Sequence, residues 1–239
     1  LDKALFNYEK VINFDKDFEA ALGNVIHSRN KLCIWDDYEN TCKYLKKKII
    51  ENKLVTKTLP LLSIFDSNDI IYKSARLESF DDQNLKKKKI TIFNNKKIKL
   101  GYYSADFRNH AVSYQLNKLI ELHNREKFEI FAFSFFNKKD EMQQNLSKIF
   151  DHFIDVETMS DEDIAKLSKK NKIDIAIDLM GFTQNNRFNI FKIGCAPIQI
   201  NFLGYAGTSG SKFIDYIIAD KIVIPKEKQK NYSEKIIYL

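Results

Sequence analysis

The sequence predicts an α/β fold: a doubly wound parallel sheet preceded by an α-helical segment. Three observations carry this expectation. Beyond residue 98, short apolar runs alternate with amphipathic stretches, the pattern of right-handed βαβ units. One run, 173–179, is mostly apolar, as a central strand buried on both faces must be. Before residue 80, apolar residues recur at helical spacing instead.

In the first segment, Leu5, Tyr8, Val11 and Ile12 form one stripe, and Phe18, Ala21, Leu22, Val25 and Ile26 form a second. A short polar turn, 13–17, separates them, so the pair reads as a helical hairpin of the kind that stacks into solenoids. A third helix is expected over 38–50. Trp35, the single Trp, and Tyr38 are expected to be buried packing anchors. The stretch 81–97, DDQNLKKKKITIFNNKK, is polar and unpatterned and reads as a linker.

After it, strands are expected at 98–103, 128–135, 153–156, 173–179, 198–202, 216–219 and 236–238. Helices are expected at 112–122, at about 140–150, and from a Ser160 cap to about 171, with Asp161, Glu162 and Asp163 suiting the dipole. The domains are therefore 1–80, helical; 81–97, linker; and 98–239, the α/β lobe.

Composition narrows the function. The net charge is +7, yet only five of the 39 basic residues are Arg, and no zinc-finger or RNA-binding signature occurs, so nucleic acid is not an expected partner. No run approaches the ~18 uncharged apolar residues of a membrane helix. Cys33, Cys42 and Cys195 are too few and too scattered for a disulfide framework or a zinc site. Reduced, buried thiols in a cytoplasmic protein are expected.

Three polar loops follow predicted strands, where ligands of open α/β sheets bind. Ser104 to His110 gathers a carboxylate, a guanidinium, an amide and an imidazole. An imidazole titrates near neutrality and suits general-base work, which makes His110 the first catalytic candidate, with Asp106 to orient it or act through water. The plainer alternative is a helix N-terminus capped by Asp106 or Asn109. Gly181 to Arg187 follows the apolar strand. It offers Thr183, and it offers Arg187 either to an anionic group or to a salt bridge. Leu203 to Gly210 spends three of only seven glycines within eight residues. It matches neither the Walker loop nor the dinucleotide fingerprint, so it is either a plain turn or a loop presenting amides and the Thr208 and Ser209 hydroxyls. Three weaker histidines remain. His27 is expected at the surface or in packing, His123 as a cation closing a helix, and His152 as structural.

Several motifs together resemble the protein O-GlcNAc transferase family, glycosyltransferase family 41. They are GYYSADFRNHAVSY (101–114), KFEIFAFS (127–134), DHFIDV (151–156), DLMGFTQNNR (178–187), APIQINFLGYAGTSG (196–210), DYIIAD (215–220) and YSEKIIYL (232–239). CIWDDYE (33–39) resembles the family's junction with its repeats, and 4–24 resembles the end of a tetratricopeptide array. The resemblance implies the Rossmann-like N-terminal lobe of a GT-B glycosyltransferase. It implies inverting transfer of GlcNAc from UDP-GlcNAc to Ser or Thr hydroxyls of proteins, with no metal and no cofactor beyond the UDP-sugar donor. The repeats would present a polypeptide acceptor.

By the same resemblance, His110 and Asp106 are the catalytic pair, with either one as the base. Leu203, Gly204, Tyr205, Gly207, Thr208, Thr183 and Arg187 are the expected substrate contacts. The sequence departs from the family at one motif: Asn-His-Pro-Thr-Ser-His reads here Asn109-His110-Ala111-Val112-Ser113-Tyr114. A further family histidine aligns near Leu62, and its role does not carry over. In the family a second lobe supplies most uridine and diphosphate contacts, so the piece alone is expected to be inactive. Two rivals follow. One is a protein N-glucosyltransferase using UDP-glucose, and the other is a repeat scaffold whose transferase region no longer catalyses.

Overall fold

The computed structural model describes residues 1–79 and 93–239. Most of the stretch expected to be a linker lies outside them. Contacts divide the chain into two units.

The first unit is helical: α1 (Asp2–Phe14), α2 (Ala21–Lys31), α3 (Tyr38–Ile50), the single turn α4 (Thr58–Leu61) and α5 (Asn68–Glu78). Its core is Leu22, Ile26, Leu45, Ile49, Val55, Leu61 and Ile70. Gly23 lies against Thr56 so closely that a methyl group there would fall 2.0 Å from the Thr56 hydroxyl oxygen. Two short pieces from late in the chain, Thr208–Ser211 and Lys230–Ser233, group with this unit by contact rather than with the sheet.

Trp35 also departs from expectation. It is 56% exposed and touches Tyr38 edge-on at 5.5 Å, so it is no core anchor. Cys33 is exposed, Cys42 half-buried and Cys195 buried, so burial of all three thiols does not hold.

The second unit is a seven-stranded, wholly parallel sheet. Its strands are β1 (Ile98–Ser104), β2 (Phe128–Ser134), β3 (His152–Asp155), β4 (Ile175–Asp178), β5 (Ile198–Phe202), β6 (Tyr216–Ala219) and β7 (Lys235–Tyr238). Their order is β3-β2-β1-β4-β5-β6-β7. The crossovers include α6 (Ala111–Leu122), α7 (Glu141–Ile149), α8 (Asp161–Lys170) and α9 (Asn189–Ile193). Ser160 caps α8 as expected, its hydroxyl accepting from the Asp163 amide.

On one face, Leu100, Tyr102, Leu116, Ile120, Ile130, Leu146, Phe150 and Ile177 interlock strands with α6 and α7. On the other, Tyr103 stacks on Phe133 at 4.5 Å, and its hydroxyl lies 2.6 Å from that of Ser168. The central strands are therefore sealed on both faces, which explains their apolar runs.

His123 does close α6, in surroundings that disfavour the cation. Its ring lies 2.7 Å from the Tyr102 hydroxyl, and burial together with the nearby Arg125 charge lowers its pKa. His152 pairs with Glu129 at 2.8 Å.

Among the described residues, no helix is long and apolar enough to cross a membrane.

Candidate active site

The strand order places a reversal between β1 and β4. The chain winds outward through β2 and β3 on one side, then through β5, β6 and β7 on the other. Open α/β sheets bind ligands at this reversal, beyond the carboxyl ends of the strands. The loops after β1, β4 and β5 leave three neighbouring strands there. Met180 ties the first two together: its sulfur lies 3.3 Å from the Ser104 hydroxyl and 3.4 Å from the Ala105 amide.

The β1 loop holds its backbone by local bonds. The Asp106 amide donates to Ser104 Oγ at 2.9 Å, the Arg108 amide to the Asp106 carbonyl at 2.8 Å, and Ser113 Oγ also donates to that carbonyl. Phe107 is fully buried and pins the loop to the core. Above this anchor the charged groups gather. Asp106, whose side chain is 10% exposed, receives Arg108 Nη2 at 3.0 Å on Oδ1 and faces His110 Nδ1 at 3.5 Å with Oδ2. The imidazole is 39% exposed, the most accessible of the three groups. It also caps α6, Nδ1 accepting from the Val112 amide at 3.3 Å. The cap is therefore His110 itself, not Asp106 or Asn109. Asn109 instead donates its amide to Asp140 Oδ2 at 2.8 Å. That bond, with the Gln143 amide and the Arg108 charge, holds the Asp140 carboxyl below its ordinary range.

The β4 loop is built around Asp178, which sequence reasoning passed over. The Met180 and Gly181 amides donate to its two oxygens at 2.9 and 3.0 Å. Burial nonetheless outweighs these donors and pushes its carboxyl up to about 7. In register it lies between Tyr103 of β1 and Asn201 of β5. The Asn201 amide group is buried with no hydrogen-bond partner among the described residues. The only available sequence signal was a carboxylate closing an otherwise apolar strand.

Thr183 donates its hydroxyl to the Met180 carbonyl at 2.8 Å. Arg187 lies 2.6 Å from Asp161 and donates to the Val156 and Met159 carbonyls at 3.1 and 2.5 Å.

The β5 loop is welded to the β4 loop. A methyl group on Gly204 would fall 1.9 Å from the Leu179 carbonyl oxygen, and one on Gly181, at φ 54°, would fall 2.6 Å from Tyr205 Cβ. Leu203 sits at φ 72°, a strained angle for a branched side chain. Tyr205 is buried, its ring 5.5 Å from that of Phe182, and Gly207 makes room for its hydroxyl end. Thr208 belongs to the helical unit. Its Oγ1 accepts from the Gly210 and Ser233 amides, both at 3.1 Å. Of the expected site residues, the structure thus brings Asp106 and His110 together. It places Leu203, Gly204, Tyr205 and Gly207 in the loop packed on the β4 turn.

The family model described as glycosyl transferase family 41 matches residues 32–239. The chain belongs to glycosyltransferase family 41. Among relatives of this family-41 chain, a probable UDP-N-acetylglucosamine–peptide N-acetylglucosaminyltransferase SEC of Arabidopsis thaliana is 39% identical over 60% of the chain and 15% of the relative. A UDP-N-acetylglucosamine–peptide N-acetylglucosaminyltransferase of Caenorhabditis elegans is 28% identical over 87% of the chain and 20% of its own length. A mutant of the Thermobaculum terrenum O-GlcNAc transferase superposes with a TM-score of 0.77 at 21% identity, covering 99% of this chain and 47% of that one. The chain thus spans a fifth or less of these two relatives' lengths and about half of the solved structure. At 21% identity the likeness shows the fold alone.

Proposed function

We propose that this family-41 chain is the Rossmann-like, acceptor-side lobe of an inverting protein glycosyltransferase that moves GlcNAc from UDP-GlcNAc to Ser or Thr hydroxyls. One observation supports it above the others. A half-exposed imidazole, backed by a buried carboxylate, stands at the sheet's reversal point in a chain whose relatives carry that activity in their names. The acceptor oxygen forms its bond to the sugar's anomeric carbon while the bond to the UDP oxygen breaks. With His110 Nδ1 donating to Asp106, Nε2 takes the hydroxyl proton and Asp106 stabilises the imidazolium. The welded β4 and β5 loops form the floor under the sugar. The helical unit, read as the end of a tetratricopeptide array, presents the polypeptide, and the reaction belongs to the cytoplasm. Neither metal nor cofactor enters this reading.

The test uses the full-length protein with UDP-GlcNAc and protein acceptors. His110→Ala should lower the transfer rate by about 10²- to 10⁴-fold. Undiminished transfer by that variant, or transfer of glucose to Asn instead, would sink the proposal.

A further inference from the structure

His110 Nδ1 has two suitors. The Val112 amide points a hydrogen at it from 3.3 Å, and Asp106 Oδ2 lies 3.5 Å away. A ring nitrogen either carries a proton or accepts one, so it cannot serve both. Accepting from Val112 leaves Nδ1 bare and places the neutral ring's proton on Nε2. Donating to Asp106 places the proton on Nδ1 and leaves Nε2 free to take one from a hydroxyl. The shorter contact, to Val112, makes the first state the resting one.

What weakens Asp106's claim is Arg108. Its Nη2 lies 3.0 Å from Asp106 Oδ1, its Nε donates to the Ala105 carbonyl at 3.3 Å, and its guanidinium lies 5.7 Å from the centre of the Phe136 ring. The carboxylate's charge is thereby spent on a fixed partner. Asp140 also feels the Arg108 charge, and it is occupied by the Asn109 and Gln143 amides.

We propose that Arg108 is a positioning residue: by pairing with Asp106 it leaves His110 Nδ1 to the Val112 amide and so determines which ring nitrogen holds the proton. Passage to the other state adds a proton from solvent at Nδ1 and returns the Nε2 proton to solvent, with no net change. The catalytic meaning of the switch rests on the function proposed above, but the switch itself is a property of the unliganded chain.

It is tested without substrate. In protein labelled with ¹⁵N-histidine, long-range ¹⁵N–¹H correlations distinguish the two tautomers, and His110→Gln identifies the His110 signals among the four histidines. The native chain should show the Nε2–H form. Arg108→Met should convert it to the Nδ1–H form, and Arg108→Lys, which keeps the charge, should remain near native. Adding Asp106→Asn to Arg108→Met should restore Nε2–H. An Nδ1–H ring in the native chain, or a tautomer indifferent to Arg108→Met in a variant whose other histidine signals are unmoved, would overturn the inference. Neither outcome depends on whether the chain's reaction is GlcNAc transfer.

Discussion

The loops after β1 and β4 leave adjacent parallel strands, carry similar residue types and behave oppositely. The β1 loop buries an aromatic and the Asp106 carboxylate and leaves Arg108 and His110 partly exposed beside it. The β4 loop turns its polar groups inward. Asp178 holds two amides, Thr183 and Asn186 each bond a carbonyl of the same loop, and Arg187 clamps the start of α8. One loop presents chemistry, and the other is a strut that gives the first a fixed neighbour. A polar residue beyond a strand's carboxyl end is therefore no guide to which role it plays. What separates the roles here is exposure: the His110 imidazole keeps 39% of its surface, whereas Asp178 is buried.

The largest expected effect breaks the strut. Gly204→Ala would push a methyl group into the Leu179 carbonyl and should cost about 3 kcal/mol or more, read as a lowered midpoint in urea unfolding. A native midpoint would mean the two loops are not welded as described. Next, Arg187→Met removes a charge-assisted clamp and should cost about 2 kcal/mol. The companion change Arg108→Met should cost clearly less, because it releases an exposed edge. Equal losses would erase the contrast between the loops.

A pH-dependent effect follows at Asp178. An ordinary Asp gives up its proton near pH ~3.9. In the fold burial keeps it to about 7. Between those values the folded state binds more protons than the unfolded one, so this group's stabilising contribution falls as pH rises. The slope approaches about 1.4 kcal/mol per pH unit. Asp178→Asn should flatten that fall in melting temperature between pH ~4 and ~7 relative to the native chain. Parallel curves would show that Asp178 titrates as if exposed.

Much of the frame was legible from periodicity. α3, β5 and β6 run over the residues that pattern marks, because apolar spacing there reflects burial directly. Three helices were not, among them the single turn α4. α5 carries a charged sequence with a narrow apolar stripe, and α9 is five residues long, too short for a period to register. At the site, the i, i+4 spacing of Asp106 and His110 foretold their approach. The competition for Nδ1 did not show, since it depends on an amide direction fixed only when α6 begins. Asp178's raised pKa depends on flanking strands 75 and 23 positions away in register partners Tyr103 and Asn201. Thr208's tie to Ser233 spans 25 positions, beyond the reach of any local motif. Trp35 misled because residue type sets a tendency to bury, whereas position at the edge of a small unit decides it.

The uneven placement of the three thiols has a practical side. Cys33 is open to solvent, burial raises the pKa of the half-buried Cys42 thiol, and Cys195 is sealed in the sheet unit. A maleimide dye added briefly to the native protein should therefore mark Cys33 first, as a peptide map of the labelled chain would read out. That would give a fluorescent reporter on the helical unit while leaving the catalytic candidates untouched.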